Sequence, residues 1–334
     1  MANMGIEILG TGHHAPARVA DNEDFAKIVD TSDEWITSRT GMKRRHISSG
    51  EPTWYIASQA AHNALENGGV DPLDLDLIIC TTVTPDFQTP STASMVQREL
   101  GAKNAICFDM NAACSGFIFA LDTARRYLAS GDEVKTALVV SADILSKMVD
   151  YTDRSSCVLF GDAAGACVMR AAPGRLYASS LSSDGEGAGL LCARYPFPSN
   201  PLQDPALMPQ WEDLDSPQDP YLHMAGREVY KFAVKALPHE VMRACQKAGI
   251  TVEELKWIVP HQANIRIVET AAKNLGVSMD KMVMNLSEYG NTSSASIPVA
   301  LDEAHRDARI CRGDKVAMVG FGGGLTSGAV VLEW

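Results

Sequence analysis

Short apolar runs alternate along the chain with helix-length amphipathic stretches. LDLIICTT, NAICFDM, KTALVVSA, WIVPHQ and KVAMVGFG are each bounded by turn residues and read as buried β-strands. Alternation of this kind predicts a layered α/β protein. The pattern also recurs at an offset of about 180 residues. ASQAAHNALENGGVDPLDLDLIICTT (57–82) aligns with LPHEVMRACQKAGITVEELKWIVPHQ (237–262), which sets Gly69 on Gly249 and the strand LIIC on WIVP. The order of elements from Leu100 to Ala142 returns, with small changes in length, from Leu275 to Gly322. Two halves of one duplicated unit are implied: 1–174, then a connecting segment 175–225, then 226–334. Within the connector, 192–221 is rich in proline and acidic residues and has neither helical nor strand periodicity, as befits a functional or mobile loop.

At 334 residues the chain exceeds one ordinary domain, which suits the duplication. Its net charge of −12 repels nucleic acid and anionic membrane surfaces. The first residues lack a charged segment followed by a long apolar one, and no apolar run has the length of a membrane span. The chain therefore reads as soluble and cytoplasmic. Eight cysteines (Cys80, Cys107, Cys114, Cys157, Cys167, Cys192, Cys245, Cys311) form no CxxC pair and mostly sit in apolar runs. They read as reduced core residues, with no disulfide framework and no metal site.

Cys114 stands apart in FDMNAACSGFIFALDTARRYLASG, where a strand ends, small residues turn the chain and a helix begins at about Ser115. A thiol at a helix N-terminus is favoured as thiolate, and its small neighbours clear an approach. His261, alone among eight histidines, closes a buried strand. Asn291 lies in SEYGNTSSASIPVALDEA, a loop of small polar residues leading into the helix that the repeat equates with the one after Cys114. Singly, these are a core cysteine, an edge histidine and a turn asparagine. The duplication makes them one candidate site, with Cys114 and Asn291 on equivalent turns and His261 on a neighbouring strand end. FGGG (321–324) places glycines where backbone N–H groups can approach a ligand, as an oxyanion hole requires. GTGHHAP (10–16) is no dinucleotide site, because Pro16 falls where a phosphate-binding helix would begin.

These residues resemble the β-ketoacyl-acyl carrier protein synthase III family, the initiating condensing enzymes of type II fatty acid synthesis. The likeness runs nearly end to end, through DEWITSRTGMKRRHI (33–47), DMNAACSGFIFAL (109–121), DRSSCVLFGDAAGA (153–166), VPHQANIRI (259–267), YGNTSSASIP (289–298) and FGGGLTSG (321–328). The resemblance implies a thiolase fold with α-β-α-β-α layers, a homodimer and a catalytic Cys114, His261 and Asn291. Acyl-CoA and malonyl-acyl carrier protein are then substrates, with no further cofactor. It also implies an oxyanion hole at the N–H groups of Cys114 and Gly323. CoA contacts fall to Trp35, Arg39, Arg154, Gly226 and Asn264, an acyl pocket to Thr89, Leu145, Phe160 and Phe321, and carrier-protein docking to Arg266. Lys43, Arg44 and Arg45 read as a solvated face.

Some positions depart from the family pattern. Arg227 and Asn274 stand where some members have Asn and Lys, near the carrier-protein contacts. Thr89 stands where acetyl-specific members have a Phe that closes the acyl pocket across the dimer interface. Each further buried CH2 contributes on the order of 0.8 kcal/mol, so octanoyl over acetyl would gain roughly 5 kcal/mol before ordering costs, and acceptance of medium or long acyl-CoAs is expected. The 192–221 insert is then either a lid near the acyl cavity or a surface loop. A degradative thiolase would need a second cysteine in the glycine-rich tail, and FGGGLTSG has none. A Cys-His-Asn hydrolase does not fit the duplication, and a non-catalytic scaffold does not explain the complete triad. A condensing enzyme of specialised metabolism would read the same way.

Overall fold

The computed structural model describes residues 4–131, 133–194 and 220–334. Residues 195–219 of the Pro-rich insert lie outside the described residues, and the lid or loop reading of that insert with them.

Two sheets carry the architecture. The first has the order β1 (Met4–His14), β7 (Asp162–Pro173), β6 (Thr136–Ile144), β4 (Leu77–Thr81), β5 (Ile106–Met110). The second has the order β11 (Trp257–Pro260), β12 (Lys315–Gly322), β13 (Thr326–Glu333), β8 (Tyr177–Ser183). Two short pairs, β2 (Val19–Asp21) with β3 (Arg44–His46) and β9 (Leu191–Cys192) with β10 (His223–Met224), lie outside them. All five apolar runs read as strands are strands. β4 runs parallel to both β5 and β6, and β11 runs parallel to β12; the inner strands β4, β6 and β12 are buried almost throughout, which is why they are apolar runs without regular polar alternation, whereas β5, expected buried, is a half-exposed edge. β8 falls within 175–225, expected to be connector, and instead forms the edge of the second sheet against β13.

The helices are α1 (Asn22–Ala26), α2 (Asp33–Thr40), α3 (Thr53–Gly68), α4 (Thr92–Leu100), α5 (Gly116–Ser130), α6 (Arg154–Cys157), α7 (Gly226–Ala248), α8 (Ile265–Leu275), α9 (Leu286–Tyr289) and α10 (Ser296–Arg306). α3 and α4 pack on the outer face of the first sheet, and α7 packs on the outer face of the second with α8 against it. α5 and α10 touch both sheets and form the central layer, with Phe117, Ile118, Leu121, Ile297 and Leu301 in its core. The layers therefore run α-β-α-β-α.

The duplication holds down to backbone detail. Ala113 and Ser293, 180 positions apart, both carry positive φ, at 45° and 52°. Ahead of each, an asparagine side chain accepts the same N–H: Asn111 from Ala113 at 3.1 Å and Asn291 from Ser293 at 2.9 Å. The discarded glycine motif has a packing role. A Cβ on Gly10 or Gly12 would lie 2.4 Å or 2.3 Å from backbone atoms of Ala64, so the two glycines let β1 lie close against α3.

Candidate active site

The central helices present their N-termini to one cavity of about 950 Å³ lined by Cys114, His261 and Asn291 together. Gly323, Leu145, Phe160 and Phe321 share its wall, as do Trp35, Arg39, Gly226 and Asn264 toward the CoA side expected from the sequence. The triad residues, 177 positions apart along the chain at their extremes, thus meet at one place.

Cys114 lies in a 3-10 turn (Ala113–Ser115) immediately before α5. The turn is pinned by the Ser115 hydroxyl donating to Ala112 O at 2.8 Å and bonding Thr326 Oγ1 at 2.7 Å. The expectation of a stabilised thiolate is corrected here: burial pushes the thiol up to about 12, with Asp143 adding to the rise and the Ser293 hydroxyl opposing it. A helix N-terminus contributes about 2 kcal/mol at most and does not offset a desolvation of this size. The resting group is a thiol.

His261 is 1 % exposed, and burial pushes its pKa down to about 3, so the imidazole is neutral. Its Nδ1 lies 2.7 Å from the Ser296 hydroxyl, which already accepts the Gln262 N–H at 3.2 Å. We assign Ser296 as donor to Nδ1, an assignment that satisfies both contacts and places the ring proton on Nε2 as a donor toward the cavity. Phe321 packs edge-on against the ring at 5.3 Å. Asn291 is fixed in the same sense: its Oδ1 is engaged by the Ser293 N–H, so its NH2 group is the half left to donate. The site thus offers two neutral hydrogen-bond donors beside a half-buried thiol.

Asn291 is held in turn by its backbone. Its N–H donates to Leu159 O at 2.9 Å, and its carbonyl accepts from Gly161 at 3.0 Å. Behind that segment lies Arg45, expected on a solvated face and in fact 0 % exposed. Its guanidinium donates to Asn22 Oδ1 at 2.5 Å and to the Val158 carbonyl, and lies 4.8 Å over the Phe25 ring. Burial pushes it down to about 10. Strand alternation explains the error, since in β3 Arg45 faces inward between exposed Arg44 and half-exposed His46. Arg45→Met strands two buried acceptors, each costing roughly 1–3 kcal/mol, against some relief of desolvation. A net loss of about 2 kcal/mol is expected in denaturant unfolding, with Arg44→Met, whose partner Glu288 is half exposed, close to zero. Equal effects would contradict this account.

The remaining expectations divide. The Trp35 ring lies 4.8 Å from the guanidiniums of both Arg39 and Arg154, so these residues form one cluster. Arg154 itself does not line the cavity and donates to Asp30 O at 2.7 Å. Asn264 caps α8 by accepting the Arg266 N–H at 2.9 Å. Arg266 is exposed outside the cavity and donates to Ser38 O at 3.0 Å. Thr89, expected to act across a dimer interface, is exposed and does not line the cavity of its own chain, where Phe87 and Gln88 do. Ser293, Ser296 and Asp143 were not singled out from the sequence, although the 180-residue offset that pairs Ala113 with Ser293 could have flagged the first.

Among the described residues no cluster of three or more His, Cys, Asp or Glu is placed to hold a metal, and no helix is long and apolar enough to cross a membrane. The family model described as 3-oxoacyl-[acyl-carrier-protein] synthase III matches residues 108–185, and its C-terminal counterpart matches 245–334. The chain is 49% identical over 330 residues to a β-ketoacyl-[acyl-carrier-protein] synthase III of Clostridium acetobutylicum, covering 98% of each. The crystal structure of 3-oxoacyl-[acyl-carrier-protein] synthase III from Aquifex aeolicus superposes with a TM-score of 0.89 at 43% identity, covering 99% of this chain and 100% of the other. Its Thermus thermophilus counterpart also gives 0.89, at 40% identity and 98% coverage of both.

Proposed function

The chain belongs to the 3-oxoacyl-[acyl-carrier-protein] synthase III family, and from that premise we propose how its residues divide the work of a decarboxylative condensation. It has the thiolase fold and is an acyltransferase of the condensing type that initiates fatty acid synthesis from acyl-CoA and malonyl-acyl carrier protein. The observation that carries the assignment is the pair of neutral donors, His261 Nε2–H and the Asn291 amide, facing the cavity that the Cys114 thiol shares.

Cys114 attacks the acyl-CoA thioester, and the N–H groups of Cys114 and Gly323 receive the oxyanion. CoA leaves, and the acyl group stays on sulfur. Malonyl-acyl carrier protein follows, its thioester carbonyl accepting hydrogen bonds from His261 and Asn291. Loss of CO2 places charge on that oxygen, and neutral donors suit a charge that exists only past the ground state. The carbanion attacks the acyl carbon and releases Cys114 as the 3-oxoacyl product forms. Acyl-CoA and malonyl-acyl carrier protein are substrates, and the scheme needs no cofactor.

Trp35, Arg39 and Arg154 form the CoA end, with Gly226 and Asn264 along the wall, and Arg266 offers a cation to the carrier protein. We assign the acyl end to Leu145, Phe160 and Phe321. The halves divide near residue 174, with Cys114 in the first and His261 and Asn291 in the second. β5 leaves one edge of the first sheet open, with Ile106 50 % exposed, and suits pairing with a second copy. In such a homodimer the exposed Thr89 would reach the partner's cavity, and its small side chain favours medium or long acyl groups. The chain acts in the cytoplasm, on neither nucleic acid nor membrane.

The test is the intact mass of the protein after incubation with acetyl-, butyryl-, octanoyl- and dodecanoyl-CoA. Adducts strongest for the longer donors, discharged by malonyl-acyl carrier protein, are expected. Acetyl adducts alone would remove the chain-length reading, and no adduct from any donor would remove the nucleophile.

A further inference from the structure

The two backbone donors assigned to the oxyanion come from different halves of the chain, and their spacing has to be held from outside. Cys114 N–H belongs to the turn before α5, whereas Gly323 N–H lies between two further glycines, Gly322 and Gly324. Three consecutive glycines impose little conformation of their own. The pairing of Gly322 with Thr326 fixes β12 to β13, but that ladder does not reach across to the cysteine turn.

Two hydroxyls make the crossing. Thr326 Oγ1 lies 3.1 Å from both Ala112 O and Gly323 O, and 2.7 Å from Ser115 Oγ. Ser115 Oγ lies 2.8 Å from Ala112 O. Ala112 O is one peptide away from Cys114 N–H, and Gly323 O is on the residue that supplies the other donor. Among the described residues, the hydrogen bonds between residues 111–116 and the tail 320–327 all pass through Thr326 Oγ1. Ser115 is 0 % exposed, and Thr326 lines the cavity. The remaining contacts are steric: a Cβ on Gly322 would lie 2.5 Å from Cys114 N, and one on Gly323 would lie 3.7 Å from Ala113 Cβ. Such packing presses two strips of backbone together without fixing how far one slides along the other. A hydrogen bond, being directional, does fix it.

We infer that the Ser115–Thr326 hydroxyl pair is a positioning device that sets the separation and aim of the Cys114 and Gly323 N–H groups toward the thioester oxyanion. The inference rests on those two groups being the oxyanion hole. Both hydroxyls act through the backbone, and neither exchanges a proton with Cys114 or substrate. In the proposed scheme the hole serves the tetrahedral intermediates on Cys114, when acyl-CoA loads the thiol and again when the carbanion attacks the acyl carbon. Decarboxylation places its charge on a different oxygen, held by His261 and Asn291. Loosening the clamp should therefore damage one kind of step and spare the other.

Thr326→Val tests this, because valine keeps the β-branched shape suited to β13 and removes only the hydroxyl. Single-turnover acylation by acetyl-CoA, followed by intact mass, should slow about 10-fold, less than the loss of a whole donor, with the half-saturating acetyl-CoA concentration unchanged. The burst of CO2 on adding malonyl-acyl carrier protein to preloaded enzyme should keep its wild-type rate. Thr326→Ser, which retains the hydroxyl, should acylate at close to the wild-type rate. Should Thr326→Val fail to fold, Ser115→Ala decides alone, with a smaller fall expected in the same step. Acylation at the wild-type rate in the variant that removes the hydroxyl overturns the clamp, as does an equal loss of acylation and CO2 release. A Thr326→Ser protein as slow as Thr326→Val also overturns it, since the methyl group would then be what matters. Absence of any adduct on wild-type Cys114 overturns the nucleophile, and the oxyanion reading with it.

Discussion

His261→Ala and Asn291→Ala should each accept an acyl group from acyl-CoA at close to the wild-type rate and then stall. Neither side chain touches the first half of the reaction in the proposed division of labour, and each supplies one hydrogen bond to the enolate in the second. Removing one such donor costs about 10²–10³ in rate, or about 3–4 kcal/mol. The measurement pairs acyl-enzyme formation by intact mass with release of CO2 from malonyl-acyl carrier protein. Cys114→Ala should lose the adduct altogether. Because His261 is neutral down to about pH 3, its donor should also work unchanged across the neutral range. A decarboxylation rate that rises on acidification through the usual histidine range would mean that imidazolium is the active form. Equal loss of acylation and decarboxylation in His261→Ala would mean that the imidazole serves as base for Cys114.

The sequence was most informative where identity and repetition coincide. The five strands and the meeting of Cys114 with His261 and Asn291 follow from apolar periodicity and the 180-residue offset, since duplicated units must place equivalent turns at equivalent points, whereas the five layers were implied by the family resemblance. It was least informative about charge in the interior. Arg45 sits among Lys43, Arg44 and His46, and a run of cations reads as surface; its burial depends on the inward face of a three-residue strand and on Asn22 and Val158, distant in sequence. The protonation state of Cys114 was misjudged for a related reason. A helix N-terminus is visible in local sequence, whereas the desolvation that outweighs it comes from packing between halves. Ser296 meets Nδ1 of His261 from 35 positions away, on a helix that the repeat places but whose facing residues it does not specify.

Gly322→Ala should disable the nucleophile without touching any group that does chemistry. A Cβ there would lie 2.5 Å from Cys114 N, 3.1 Å from Ala113 Cβ and 3.2 Å from Cys114 Cα. Two of these are backbone atoms and none can swing aside. β12 cannot retreat, because Gly322 is in register with Thr326 of β13, and Thr326 Oγ1 is bonded to Ser115 and to Ala112 O at 2.7 Å and 3.1 Å. The turn that carries Cys114 must therefore move. Overpacking of this kind costs about 1–3 kcal/mol of stability, and a displacement of about 1 Å costs about 10²-fold in rate. Acylation and condensation should fall together, unlike in His261→Ala, where the first survives. A folded Gly322→Ala protein that acylates Cys114 at the wild-type rate would mean that the turn yields more easily than its contacts with β12 and β13 imply.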